Sequence, residues 1–264
     1  MRKILCLVVF LLIVVSGCVQ SQSPTDIIQS SKTKSDNTNY LIEYDSEVKT
    51  FFDDELIENK FRTAIKKLNE NRKTEIYVNE VGLIQTIIKN ELGLFSCNLL
   101  DPENASCVLI QESGGETFVE DGQNENIEDA SVLKKMSDLG IISLNSVQKS
   151  IQVGSKTREC DNIQFSINPE KITKDNIKQI SEILVDTEEE EPLEFKLSGS
   201  MCIDKETGLV LESSTDIGYD IYSLLTSMKF RQQISQKATR LDTNPLLSEK
   251  EFEIPESRLE IMTG

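Results

Sequence analysis

The sequence predicts an α+β domain, an antiparallel sheet with a few helices lying against it. Three observations carry this expectation. Apolar and polar residues alternate with period two through much of the second half, a glycine-containing turn joins two such runs, and two segments show a single apolar stripe at helical spacing. A strand with one apolar and one polar face belongs to an antiparallel sheet with one wet side.

The chain opens with an address rather than with the domain. Arg2 and Lys3 precede an apolar run from Ile4 to Val15, which ends at Ser16-Gly17-Cys18. A basic start, a short apolar stretch and small residues at the cut make residues 1–17 a secretory signal, too short to span a membrane well. Val15-Ser16-Gly17-Cys18 resembles a lipobox, in which a prokaryotic lipoprotein precursor receives a diacylglyceryl thioether on the cysteine and is cut just before it. Cys18 is therefore the expected lipidation site. Removal of residues 1–17 leaves 26 basic against 45 acidic residues, a formal charge of −19. Anionic headgroups repel such a chain, so attachment to the membrane falls to acyl chains, two or more of which anchor stably. Residues 18–38, rich in Ser, Thr, Gln and Lys and broken only by Ile27-Ile28, read as a flexible polar tether. Residues 39–264 then form one domain, since no later boundary or repeat is evident.

Within the domain, Phe61, Thr63 and Ile65, the turn Asn69-Glu70-Asn71 and then Ile76-Tyr77-Val78 read as a hairpin. Residues 81–96 fit helix and strand equally. A helix is expected after Asn126, with Glu128 and Asp129 in its first turn, Val132, Leu133, Met136 and Leu139 on one stripe, and Gly140 ending it. Ile163, Phe165 and Ile167 alternate with Asn162, Gln164 and Ser166 as a strand. A second helix starts at Thr173, where Ile172 and Ile177 are placed as a hydrophobic staple and Ile177, Ile180 and Leu184 share a face. Asp186 to Pro192, with four successive glutamates, reads as a solvated loop rather than a cation site. Leu193, Phe195 and Leu197 begin the next strand, Asp204 to Gly208 turns the chain, and Leu209 and Leu211 lead back. Met228, Phe230, Ile234 and Ala238 share a face of a long last strand.

Cysteine usage agrees with export. Cys6 lies in the signal and Cys18 at the cut, leaving Cys97, Cys107, Cys160 and Cys202, an even number that favours disulfides over zinc in a chain without CxxC or histidine. Cys160 and Cys202 both fall on the polar positions of their strands, and opposed positions of an antiparallel pair lie within disulfide reach. The expected bridges are Cys160–Cys202, on the solvated face, and the local Cys97–Cys107. Asn104-Ala105-Ser106 is a glycosylation sequon.

Composition removes whole functional classes. The 264 residues carry 28 Lys and Arg against 45 Asp and Glu, with no basic cluster beyond residue 3, so nucleic acid is excluded as a partner. There is no histidine and no tryptophan, which removes imidazole bases, imidazole metal ligands and the usual nucleophile pairs. Some carboxylate pair is inevitable among so many acids, yet no spacing singles one out. The chain reads as no enzyme, with no cofactor and no metal.

The layout resembles the LolA/LolB-type lipoprotein carriers and the mycobacterial LppX-like proteins, more specifically their divergent archaeal lipoprotein relatives. The residues responsible are the lipobox, Val153-Gly154 with Cys160-Asp161-Asn162-Ile163-Gln164-Phe165, the segment from Met201-Cys202-Ile203 through Gly208-Leu209-Val210-Leu211, and the ending from Thr243-Asn244-Pro245 to Phe252-Glu253-Ile254-Pro255. They cover mainly the C-terminal half, and none is a catalytic motif. The resemblance implies a curved antiparallel sheet forming an unclosed half-barrel, with helices packed on its concave face and an apolar cavity between them that accepts acyl chains. This chain differs from a soluble carrier in its own lipid anchor, and its short hairpins before residue 80 fit the pattern poorly.

The functional expectation is a lipoprotein on the extracytoplasmic face of the cell membrane that binds a hydrophobic or lipid ligand. Phe165, Ile167, Phe195, Leu197 and Leu209 would line the cavity together with Leu211, Met228, Phe230 and Ile234. The same stripe also suffices as the plain core of a sheet covered by helices. The alternative is a surface protein-interaction or sensor module without a cavity, whose protein partner the sequence does not name.

Overall fold

The computed structural model describes residues 22–53, 55–78, 81–98, 106–112, 130–173, 195–222, 227–254 and 259–260. The signal, Cys18, Asn104, the expected helix from Thr173 and the glutamate run lie outside the described residues.

Two antiparallel meanders make the sheet. The first comprises β1 (Tyr40–Phe52), β2 (Glu55–Leu68), β3 (Asn71–Val78), β4 (Gly82–Asn90), β5 (Gly93–Asn98) and β6 (Ser106–Glu112). The second comprises β7 (Ile142–Val153), β8 (Lys156–Ile167), β9 (Phe195–Asp204), β10 (Val210–Tyr222) and β11 (Ser227–Asp242). They join edge to edge where β1 pairs antiparallel with β11, from Leu41 opposite Asp242 to Phe52 opposite Phe230. A two-residue β12 (Leu259–Glu260) adds to β6 in parallel, and the order β12-β6-β5-β4-β3-β2-β1-β11-β10-β9-β8-β7 leaves the sheet unclosed. It curves strongly at one end. Flat strands four places apart would lie about 19 Å from each other, yet β7 touches β11. The stretch at 81–96 resolves as strand, because Gly82 and the turn at Glu91-Leu92 cut its apolar run to strand length.

Helix α1 (Pro24–Asp36) corrects the expected tether. Ser23 caps it, its Oγ accepting from the Asp26 N–H at 3.2 Å, and Pro24 occupies the first turn. Its polar residues are satisfied within the helix: the hydroxyls of Ser30 and Ser31 donate to the carbonyls of Ile27 and Ile28. Polar composition suggested disorder, but two buried isoleucines suffice to dock a short helix, each worth about 1.5–3 kcal/mol. They pack on Ile163 of β8 and Ile203 of β9. The lysines fix the helix end: Lys67 Nζ donates to the carbonyls of Ser35 and Asp36, and Lys34 Nζ to that of Lys205. At the β9–β10 turn, Gly208 has φ +74°, and a Cβ there would sit 2.2 Å from the Ser31 carbonyl oxygen. Glycine is needed both for the turn and for the approach of the helix. Helix α2 (Ala130–Asp138) ends before Gly140 and brings Leu133 to the same cluster. The sheet side carrying Ile163, Met201 and Ile203 is hereafter the helix face, its opposite the back face.

A second core fills the curl. Tyr40, Ile42, Tyr44 and Ile65 pack with Leu211 and Ala238, and with Ile151 and Val153 of β7. The β10–β11 ladder ends at Glu212 opposite Lys237, and the Tyr44 hydroxyl donates to the carbonyl of Val210 beyond it at 2.7 Å. Burial raises the phenol of Tyr44. The Cys160–Cys202 disulfide, with Cα atoms 5.4 Å apart, joins β8 to β9 diagonally, Asn162 being the residue opposite Cys202. It lies on the back face, as its parity requires, but that face is not solvated here: both cysteines are 0% exposed. The curl of β7 over β11 closes the site, and alternation along a strand carries no information about curvature.

The third core lies on the back face of the first meander, where Ile88, Phe95 and the Cys97–Cys107 disulfide meet Phe252 and Ile254. Cys97 and Cys107 are directly opposed on β5 and β6. The C-terminal segment is held by a 3-10 turn (Glu249–Phe252) with a capping box between Ser248 and Glu251. Asn90 Nδ2 donates to the Phe252 carbonyl, and Lys66 Nζ lies 3.5 Å from Glu75 and 3.4 Å from Glu251.

Candidate functional site

From Ile163 and Met201, which α1 covers, the helix face continues across six strands in tiers set by register. Nearest the helices run Ile163, Met201, Ser213, Gln236, Ser46 and Phe61. The next tier is Phe165, Gly199, Thr215, Ile234, Val48 and Asn59, and the third is Leu197, Ile217, Gln232, Thr50 and Ile57. None of these residues is ionisable. Phe165, Ile167, Leu197, Ile217, Ile234 and Val48 are half-buried, and Ile57 is 49% exposed. Gln232 Nε2 donates to Thr50 Oγ1 at 3.3 Å, satisfying the polar pair of the third tier.

The back face of the same strands is the reverse. Lys60 bridges Glu47 and Glu58, Lys49 pairs with Glu47, Arg231 with Asp216, and Lys149 of β7 with Glu212. The Arg231 hydrogen bond holds the Asp216 carboxyl below its ordinary range, and Lys49 and Lys60 do the same for Glu47. A chain with 28% charged residues thus sorts its charge to one side of these strands.

Gly199 shapes the uncharged face. Phe165 is directly opposite it, and a Cβ on Gly199 would come 2.5 Å from the Phe165 ring and 2.3 Å from the Ser214 carbonyl oxygen. The ring lies down on the sheet where a side chain is missing. At the tier nearest the helices, Ser46 is 6% exposed, and its Oγ and the Nε2 of Gln236, opposite on β11, are buried without a hydrogen-bond partner in the protein. One pair inward, Thr63 Oγ1, opposite Tyr44, is in the same condition.

Of the residues expected to line a cavity, Phe165, Ile167, Leu197, Phe230 and Ile234 are half-buried; Ile167, beside Phe165 on β8, and Phe230, facing Phe52, flank the tiers. Leu209 and Leu211 do not belong to the open tiers: at 2% and 0% exposure they are buried in the core with Tyr44 and Ala238. The reason is a bulge, Val210 pairing with Ile203 but Glu212 with Cys202, which leaves Leu211 as the extra residue and breaks the alternation counted through it. Phe195 and Met228 stand on β9 and β11, but their side chains lie outside the described ones. Sequence reasoning missed the β1 contribution, Ser46, Val48 and Thr50. The signal was present, since Tyr40, Ile42, Tyr44 and Val48 alternate with Glu43, Asp45, Glu47 and Lys49. Among the described residues no group of three or more acidic or cysteine side chains is placed to hold a metal ion.

No family model and no curated protein matches this sequence. Among solved structures, the chain is similar to a DUF1329 family protein from Desulfovibrio piger, at 12% identity over 89% of this chain and 97% of that one, with a TM-score of 0.34. It is also similar to a LolA superfamily protein from Nitrosomonas europaea, at 11% over 86% and 97% with a TM-score of 0.32, and to the Mycobacterium tuberculosis lipoprotein LppX, at 8% over 84% and 96% with a TM-score of 0.33. All three come from bacteria, and the archaeal kinship expected from the sequence finds no support among them. The likenesses are loose, and the functional reading rests on the residues of this chain.

Proposed function

We propose that this chain is an extracytoplasmic lipoprotein, anchored through Cys18, that holds a hydrophobic or lipid ligand against the helix face of its sheet. The observation that carries the reading is the sorting of charge. Six adjacent strands present an uncharged surface of apolar and neutral polar residues on one side and a mesh of ion pairs on the other. The three hydrophobic clusters centre on buried residues, whereas among the described residues the outer two tiers keep apolar area in reach of a ligand. Two disulfides fit an oxidising compartment, and the lipobox at Cys18 supplies an anchor that the acidic surface cannot.

Native mass spectrometry of the chain purified from host membranes, with peptide mapping, tests both parts. The expected result is a chain beginning at an acylated Cys18 that carries additional non-covalent lipid. An unmodified Cys18 refutes the anchor, and a chain free of extractable lipid that also takes up no acyl probe refutes the ligand. One observation favours the alternative of a protein-interaction module: Phe52, Leu56 and Ile57 stand exposed at the end of the β1–β2 hairpin.

A further inference from the structure

We infer that the ligand meets this face with an uncharged polar group, an ester, amide or hydroxyl, and that the site discriminates against carboxylates and phosphates; the inference rests on the hydrophobic-ligand reading above. Two independent observations point the same way. The first is electrostatic. Among the described residues, the three tiers hold no cation to pair an anionic headgroup and no anion to pair an ammonium. Along the described strands, the next cations on the helix face are Lys67 and Arg72, opposite each other beyond the core rows of Tyr44 and Ile42, and Lys67 is engaged by the carbonyls of Ser35 and Asp36. The next anion along these strands is Glu55, at the far end of β2. A charged headgroup drawn onto this surface would lose its hydration without gaining a partner.

The second observation is the line of buried polar atoms at the tier between the core and the apolar rows. Ser46 Oγ and Gln236 Nε2 face each other across the β1–β11 seam, next to Val48 and Ile234, and neither has a hydrogen-bond partner. A hydroxyl and an amide N–H left unpaired in a protein interior destabilise it unless something else completes them. Neutral donors and acceptors of this kind match an ester carbonyl or a hydroxyl. With the polar group at Ser46 and Gln236, a chain attached to it runs over Val48, Ile234, Ile217 and Leu197 toward Phe165.

The test uses the chain from residue 18 with Cys18→Ser, which keeps every described residue and removes the competing anchor. Binding of three fluorescent probes with the same acyl chain is compared at pH 8: a diacylglycerol, a fatty acid and a phosphatidic acid. The diacylglycerol is expected to bind at least ten-fold more tightly than either anion, with little dependence on salt. In Ser46→Ala/Gln236→Leu that preference should shrink several-fold while the unliganded protein melts no lower, because two unpaired polar groups have been removed. Ile234→Lys should reverse the preference toward the anions. Equal or tighter binding of the anionic probes by the unsubstituted protein overturns the headgroup inference and leaves the hydrophobic site standing. Binding of none of the three overturns both.

Discussion

The first meander buries Ile88, Phe95 and its disulfide on the back face, under Phe252 and Ile254 from the far end of the chain. The second buries Ile163 and Ile203 on the helix face, under Ile27 and Ile28 from the start of the chain. Each half therefore wears a cover supplied by the opposite terminus, on opposite sides of one sheet. Among the described residues, each half thus draws part of its core from the other end of the chain, which ties the two meanders together. Among the described residues the exchange also leaves one surface without a cover from either end, the tiers of Phe165, Ile234 and Val48.

The comparison breaks most sharply at the C-terminal cover. Phe252, 1% exposed, is the side chain that the C-terminal segment buries most fully, and Phe252→Ala should cost about 3–5 kcal/mol in denaturant unfolding. Hydrogen exchange should then quicken in β4 to β6 while β8 and β9 stay protected. Equal loss of protection in both meanders would show that the covers do not act locally. The mirror experiment is Ile28→Ala, with a smaller expected cost of about 2–4 kcal/mol and faster exchange confined to β8 and β9. If α1 were a dispensable tether, the substitution would leave stability unchanged.

The smallest effect sharpens the same contrast by pH. Burial pushes the Glu75 carboxyl up, but Lys73, Lys66 and the Tyr77 hydroxyl outweigh it, so the carboxyl sits below its ordinary range. A carboxyl held low in the folded chain stabilises above its unfolded value of about 4.3, and that stabilisation is lost as pH falls through the lower folded value. Acidification below about pH 4 should therefore loosen the clasp that Lys66 makes between Glu75 and Glu251, by no more than about 1 kcal/mol for partly exposed partners. Thermal melts of wild type and Lys66→Met between pH 7 and 3 measure it, the variant being expected to show the shallower acid slope. Identical slopes would remove the clasp from the account.

Much of this was written locally. The strands around Ile163, Leu197 and Ile234, the turn at Gly208 and the helix ending before Gly140 follow from spacing and turn chemistry, because neighbouring residues determine them. What was hidden depends on distant chain. Cys160 and Cys202 announced their shared face by parity, but only the curl of β7 onto β11 decides that the face is dry. Leu211 was misplaced by a single bulged residue, and α1 by a polar composition whose two isoleucines needed a sheet to meet. The candidate face was half legible: β8, β9 and β11 gave their rows, whereas the row from β1 became part of it only through a pairing that no local pattern signals.

That pairing also dictates an order of events. β1 and β11 stand about 180 to 200 residues apart in the chain, so the first strand of the sheet waits for its last long one before that edge is filled. Until then both meanders are open ribbons, one ending in β1 and the other in β10, each able to recruit a stray strand from another molecule. The row Glu43, Asp45, Glu47 and Lys49 places charge on that edge strand, which discourages such pairing. The two meanders thus join along the first strand of the sheet.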